Sequence, residues 1–589
     1  MKTAVLYYQS DVDQFLIDKP VVGKIYPLTP DAKAALLGKT DLTMLDPLDF
    51  FTDYSHRRVI ASVRSIERKI HPLIQNDKIL SRASKETLIS LMHVSLSSCF
   101  YLLYLLRGTG PWLLYDGNSW VRVEKLDTAV NILFKRIVLQ KTGVFQIGQN
   151  KDQIGKTFIK LFNWLILIKI KNNQCFWTTG QGYGLNNITE NLLTVDRNNK
   201  VLYAVQADRK SLFRSLKSVI SLYTSFSQRS FVLISPVREP VSDYMDYLDN
   251  LFETTDDSRL KPFIIPLKLY LNKCIVYTES LVDDTKRIIK NIGPKKIIAH
   301  HLRWLDASIV GHCASELGID TILISHGSHP PSENVTSEYE LNDLARGLFI
   351  SPLAAKSIAQ STNAAQSINS KSNVPKIINY QPIMWGWGNL GSVKRTNKKF
   401  QILHAGTYKV LGVRPWIYET SNEFVHGLQQ FVQAVSSIED IDLIIRIRSL
   451  PECDISSLEK LLPNTDNCQI KTGGSFQDDL SDADLLVSYS STTIEEALYA
   501  RKPVALFGGS DRYRHLPGSS TLPDMNNRSA VYHLTKENMS EMLEAIIAVH
   551  SNKPLTDSEV SDYVWPDSVP GIDTFVSNLI KKEENGHEN

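Results

Sequence analysis

The amino-acid sequence predicts an α/β protein built on doubly wound parallel sheets, and three stretches carry that prediction. Residues 478–508, DDLSDADLLVSYSSTTIEEALYARKPVALFG, read as strand, polar turn, helix, turn and strand. Leu485–Val487 and Val504–Phe507 are short apolar runs between turn signals, as strands buried on both faces require. From residue 400 onward strands and helices alternate at the spacing of crossover units, and a second such alternation surrounds residues 296–324. Sheets of this kind bind ligands beyond the carboxyl ends of their strands, so the loops that follow the strands are where chemistry belongs.

In chain order, MKTAVLYY reads as a first strand. A charged residue follows its apolar run too soon for a signal peptide. The rest of residues 1–190 is poorly legible. Lys200–Val205 and Phe231–Ile234 read as strands, Lys296–Ala299 as a strand, and Ala307–Leu317 as a helix stopped by Gly318. Thr321–Ile324 is the next strand, and it delivers Ser325, His326, Gly327, Ser328 and His329 into a loop. Residues 354–376, AAKSIAQSTNAAQSINSKSNVPK, are rich in Ser, Asn and Ala and read as a loosely packed surface segment before an interdomain connection. The expected division is an N-terminal α/β domain over 1–375, a C-terminal α/β domain over 395–560, and a final segment with a polar tail over 561–589. Within the C-terminal domain, Phe400–Ala405, Ile441–Ile447 and Gln469–Lys471 read as strands, and Glu423–Ile438 and Ile455–Leu462 as helices.

Composition narrows the function. A chain of 589 residues exceeds one core, and 43% hydrophobic with 22% charged residues is ordinary soluble composition. A net charge of +2 with no basic tract argues against nucleic acid as a partner. The six cysteines form no CxxC pair, which argues against a zinc site and a disulfide framework and favours reduced thiols in the cytoplasm. Val94–Leu106 is too short to span a bilayer. Phe158–Ile170 is interrupted by Lys160, Asn163 and Lys169. With Lys171, Phe162, Trp164 and Leu167, it fits either a buried element with a lysine edge or a helix lying on an anionic inner-membrane surface.

Ser490, Ser491, Thr492 and Thr493 place four hydroxyls and unpaired backbone N–H groups at a helix start, where the dipole and free donors favour a phosphate. The competing reading is a capping box, Thr492 with Glu495 or Thr493 with Glu496. His326 ends a buried strand before Gly327, whose freedom permits a sharp departure, so its imidazole can donate to a phosphate or shuttle a proton; a hydrogen bond to loop backbone is the alternative. His404-Ala405-Gly406-Thr407 closes another strand with a glycine turn that suits close approach to a phosphate. Phe507-Gly508-Gly509-Ser510 and Arg512-Tyr513-Arg514-His515 offer backbone donors and positive charge, or an exposed loop. The pairs Asp11/Asp13 and Asp482/Asp484 have the spacing of a metal-binding acidic motif, but nothing nearby in sequence completes a coordination shell, so neither a metal nor a cofactor is expected.

GIDTILISHGS in the first domain and the DADLLVSYSSTTIEEALYARKPV unit in the second resemble the GT-B glycosyltransferases, over roughly residues 295–350 and 400–510. Among these the chain looks most like bacterial surface-carbohydrate enzymes that use CMP-activated acid sugars, the Kdo and sialic-acid-like transferases. The resemblance implies two Rossmann-like domains facing across a cleft, with a nucleotide-sugar donor on one side and a glycan or lipid-linked acceptor on the other. It implies that Ser490, Ser491 and Thr492 hold the donor phosphate and that Glu496, in preference to Glu495, holds the ribose. Relatives carry a basic residue followed two positions later by His-Pro; here Arg446 stands at the basic position, Arg448 replaces the histidine and Pro451 is displaced. Asp116, in LLYDGNSW, resembles the acidic-Gly turn of sialyltransferases and is a candidate base for an inverting, metal-independent transfer, with Asp208 competing. A glycerophosphotransferase acting on CDP-glycerol, a UDP-sugar 2-epimerase-like enzyme and a non-catalytic glycan-assembly partner are the rival readings.

Overall fold

The computed structural model describes residues 2–139, 156–170, 174–179, 185–196, 199–206, 229–234, 243–255, 257–303, 305–325, 327, 335–370, 375–385, 399–406, 408, 410–411, 418–448 and 452–581. Its strands form three sheets. The first contains β1 (Thr3–Leu6), β2 (Lys24–Pro27), β3 (Thr43–Met44), β4 (Trp112–Tyr115) and β5 (Trp120–Val123), in the order β3-β2-β1-β4-β5. All its pairs are parallel except the β4–β5 hairpin. The second contains β6 (Gln174–Thr178), β7 (Asn199–Gln206), β8 (Arg229–Ile234), β9 (Lys296–Ala299), β10 (Thr321–Ile324), β11 (Lys356–Ala359) and β12 (Lys376–Asn379), in the order β12-β11-β10-β9-β6-β7-β8. The third contains β13 (Phe400–Ala405), β14 (Ile441–Arg446), β15 (Cys468–Lys471), β16 (Leu485–Ser488), β17 (Val504–Leu506) and β18 (Val531–His533), in the order β15-β14-β13-β16-β17-β18.

The second and third sheets are parallel throughout, and in each the strand order reverses beside its first strand, between β6 and β9 and between β13 and β16. They are the two doubly wound units of the predicted fold. Their strands read as apolar runs because both faces are covered: all six residues of β13 and all four of β10 and β16 are buried. The first sheet repeats the same opening order as a third unit.

Residues 354–376 correct the sequence reading. Over the described positions 354–370 and 375–376 they are no loose surface segment: they supply β11, the start of β12 and the helix Thr362–Asn369, capped by Ser361, whose hydroxyl accepts from the Ala364 N–H. Ala364, Ala365 and Ile368 pack with Phe349 and Trp565, so small side chains serve close packing here. The C-terminal segment also belongs to a core. The helix Ile572–Ile580 returns to the second sheet and buries Phe575, Val576 and Leu579 against Phe176 and Ile188.

The first unit ties the other two together. Its helix Arg82–Leu106 packs against Asp53–Asn76 in its own unit and against Ile264–Ile292 and Leu305–Glu316 in the second. Among the described residues this is the helix long and apolar enough to cross a membrane, and it is a core helix with 89% of its apolar window buried. A buried ionic cluster cements the junction. His93 stands between Glu67 (3.1 Å) and Asp343 (3.7 Å), and Arg303 reaches Asp343 at 2.7 Å. Burial alone would lower the His93 pKa, but Asp343 and Glu67 outweigh it and hold the imidazole at about 9. On the other side, Glu452 accepts from Tyr7 Oη of the first unit and from the Leu411 N–H and Ser421 Oγ of the third. Its backbone sits at φ 92°, a conformation that costs a non-glycine residue about 1–3 kcal/mol and that the surrounding bonds enforce.

Candidate functional site

The third sheet reverses at β13 and β16, and the turn after β16 is the Ser-Thr segment. Ser488 Oγ donates to the Ala405 carbonyl at 2.6 Å, pinning the two strand ends side by side. Ser490, Ser491, Thr492 and Thr493 then lie half-buried at the start of the helix Thr493–Tyr499. Neither expected capping box forms. Thr492, at the N-cap, has φ −59° and ψ −17° and makes no side-chain cap bond, because a cap of that kind needs extended backbone. Ser491 Oγ instead accepts from the Thr493 N–H at 3.3 Å. Thr493 Oγ1 is buried with no hydrogen-bond partner among the described residues. An unsatisfied buried hydroxyl is costly, and a ligand oxygen would satisfy it.

The two glutamates diverge, as their helical spacing requires. Glu495 is buried and lies 3.7 Å from His515 Nε2, whose Nδ1 meets Tyr513 Oη at 2.8 Å. Glu496 lies within the electrostatic reach of Arg448. Burial, and then the neighbouring Glu495 charge, push the Glu496 carboxyl up to about 8 against the opposing pull of Arg448. A carboxyl that stays largely protonated at neutral pH can donate to a ribose or phosphate oxygen without repelling it.

The second sheet meets this turn through Gly327. Its φ is +81°, and a Cβ there would lie 2.9 Å from Thr492 Cγ2 and 3.6 Å from Glu495 Oε2. The loop after β10 thus touches the Ser-Thr turn, and the strand ends of the two units face each other at this seam. His326 lies outside the described residues, as do Thr407 and Asp208.

Other predicted residues are placed differently. Arg446 is paired with Asp479 and donates to the carbonyls of Gly473 (3.0 Å) and Gly474 (2.6 Å), so it closes the loop after β15. Arg448 is exposed, and it is the arginine whose charge acts on Glu496. Gly406 adjoins the buried His404, whose ring rests on Phe424 and Phe431 and whose pKa burial pushes down to about 4. Asp116 is a hairpin residue: it accepts from the N–H groups of Asn118 (2.8 Å) and Ser119 (2.9 Å), which hold its carboxyl below the ordinary carboxylate value. That environment opposes service as a base. Asp11 is spent on Arg136 and on the Tyr7 and Tyr8 N–H groups, and Asp484 on the Gln401 N–H. In the loop after β17 Phe507, Tyr513 and His515 are buried while Arg514 is exposed. Gly509 N–H donates to Glu419, and Arg512 forks onto Glu423 at 2.7 and 2.6 Å and reaches Asp53 at 2.9 Å.

Sequence reasoning passed over His300 and His301, which follow β9 at the reversal point of the second sheet, beside the strand that ends in the Gly327 loop. Their rings meet edge to face at 4.5 Å, and burial lowers the His300 pKa to about 4. The signal was present: two imidazoles directly after the apolar strand KIIA.

No family model matches the chain, and no curated protein matches it. Solved structures similar to it include MurG from Acinetobacter baumannii, with 11% identity and TM-score 0.34 over 66% of this chain and 97% of that one. UDP-GlcNAc 2-epimerase from Neisseria meningitidis bound to UDP-GlcNAc shares 12% identity with TM-score 0.37, over 69% and 98%. A ugt transferase from Siraitia grosvenorii in complex with UDP shares 10% identity with TM-score 0.37, over 70% and 100%. At this distance the fold assignment rests on the strand order of the chain itself.

Proposed function

We propose that the protein is a GT-B-type glycosyltransferase that binds a nucleotide-activated sugar at the seam between its second and third sheets. The observation that carries the reading is the half-buried Ser-Thr turn at the reversal point of the third sheet. It holds a Thr493 hydroxyl without a partner among the described residues and is met from the facing lobe by Gly327. Ser490, Ser491, Thr492 and Thr493 hold the donor phosphate, Glu496 donates to the ribose, and Arg448 supplies the positive charge that Arg446 gives to Asp479.

The favoured donor is a CMP-linked ulosonic acid, on the strength of the SSTTIEE motif, and the acceptor is a surface glycan or its lipid-linked precursor. The transfer is a single displacement. An acceptor hydroxyl oxygen attacks the anomeric carbon, the bond from that carbon to the phosphate oxygen breaks, and CMP leaves with the electron pair. The hydroxyl proton passes to a base on the facing lobe. His300, which follows β9, and His326, two residues after β10 in the sequence, replace Asp116 as candidates for that base and for hydrogen bonding to the leaving phosphate.

Calorimetry with CMP tests the phosphate assignment: Ser491→Ala with Thr492→Ala should weaken binding, and an unchanged affinity overturns it. A thermal-shift screen of CMP, CDP, UDP and GDP identifies the nucleotide, because a ligand that binds only the native state raises its stability. Product analysis separates sugar transfer from glycerophosphate transfer, which adds phosphorus to the acceptor. Turnover of a UDP-sugar without acceptor would instead indicate an epimerase.

A further inference from the structure

The helix Lys156–Ile170 is apolar on two opposite faces, and among the described residues its neighbours account for one of them. Inward, Phe162 and Ile166 are buried with Trp177 and Phe231, and the Phe162 ring lies 5.5 Å from that of Phe231. The sequence had grouped Phe162 with the lysines; the structure puts it in the core. Outward, Leu161, Trp164 and Ile168 are 52%, 56% and 48% exposed. Their spacing of i, i+3 and i+7 makes them one continuous stripe. Scattered exposed apolar side chains are ordinary, but a row of three large ones on a single face is not.

The charge around the stripe is of one sign. Residues 156–171, KTFIKLFNWLILIKIK, contain four lysines and no aspartate or glutamate. At about 100° per residue, positions 156 and 160 fall along one border of the stripe and position 169 along the other. Lys160 is exposed. At 15 residues the helix is about 22 Å long, too short to span a bilayer core of about 30 Å.

We propose that this face is a docking surface for an anionic lipid bilayer, on which the helix lies in the plane of the interface. Leu161, Trp164 and Ile168 enter the boundary of the acyl chains, and Lys160 meets the headgroup phosphates. A protein partner would match the apolar stripe, but its acidic rim would have to answer lysines on both borders. A bilayer rich in anionic headgroups presents negative charge on both sides at once. The proposal is independent of the donor assignment, since it concerns a different face and is read without turnover.

Co-sedimentation of the full chain with vesicles tests it. Vesicles of phosphatidylcholine mixed with phosphatidylglycerol should bind the protein, vesicles of phosphatidylcholine alone should bind it about tenfold less, and high salt should release it. The surface variant Leu161→Ser/Trp164→Ser/Ile168→Ser should lose about tenfold or more in partitioning, and Lys160→Glu should lose binding to the anionic vesicles selectively. Circular dichroism melting checks that these variants remain folded. Failure of the native chain to bind anionic vesicles overturns the proposal, as does equal binding by the triple variant. A native dimer that becomes a monomer in the triple variant, seen by light scattering, assigns the face to a second copy and overturns it as well.

Discussion

Replacing Glu496 by glutamine should remove a pH dependence that the native protein carries between about pH 4.5 and 8. In the folded chain the carboxyl titrates at about 8 instead of its ordinary 4.5, chiefly because it is buried and then because Glu495 adjoins it. Below pH 4.5 folded and unfolded states both hold the proton, and Glu496 costs nothing. Between 4.5 and 8 the unfolded chain has lost the proton while the folded chain keeps it, so native stability falls as pH rises; above 8 the loss is complete. The gap of about 3.5 at about 1.4 kcal/mol each sets an upper bound of about 5 kcal/mol. Partial exposure of the side chain screens this to roughly 2–3 kcal/mol. Glutamine keeps the shape without the titration, so the variant should match the native protein near pH 4.5 and exceed it increasingly toward pH 8. For a unit of about 150–250 residues the gap reads as a melting-temperature difference of about 5 °C or more. Melting both proteins across that range and subtracting cancels every other titrating group. A difference that stays flat, or that narrows as pH rises, would refute a protonated Glu496.

Three further outcomes follow from the same structure. Gly327→Ala should cost about 1–3 kcal/mol, because the residue sits at φ +81° with Thr492 Cγ2 2.9 Å from the position of the new methyl; an unchanged melting temperature would mean the two lobes do not touch there in solution. Arg512→Met should cost about 3–5 kcal/mol by leaving Glu423 buried without its partner, and adding Glu423→Gln should recover part of that loss in a double-mutant cycle. His93→Asn should flatten a second pH dependence of opposite chemistry. The imidazole titrates at about 9 in place of 6.5, so its contribution is complete below pH 6.5 and fades as pH rises through 9. Native and variant melting curves that keep a constant separation across that window would rule it out.

How much of this was legible in the sequence depended on side-chain size. The central strands of the third sheet announced themselves because parallel strands covered on both faces must be continuously apolar, whereas the three-residue edge strand β18 was not read; the turn after β16 stood out because four hydroxyls in a row are rare. In the first sheet only β1 was read: β3 has two exposed residues, and β5 is a hairpin strand with a single buried residue, so neither shows an apolar run. Residues 354–376 misled because their packing uses alanine and serine, which composition cannot tell from a linker. Arg446 was legible as a cation but not as a committed one, because its partner Asp479 is 33 residues away in sequence and meets it only through the β14–β15 pairing. The capping box failed for a local reason, the helical backbone of Thr492, that sequence spacing does not encode.

The helix Ile572–Ile580 has a mechanical consequence. The chain leaves the second unit after Trp385, builds the third, and comes back over the seam to finish on the body it left, with Trp565 Nε1 donating to the Ala359 carbonyl on the way. Two bodies joined by one strand tumble freely, whereas two joined at separate points swing about the line between those points. With the first unit packed on both lobes as well, any opening to admit a ligand has to yield at one of these attachments. A cut just before Ile572 would release one of them and at the same time strip the cover from Phe176.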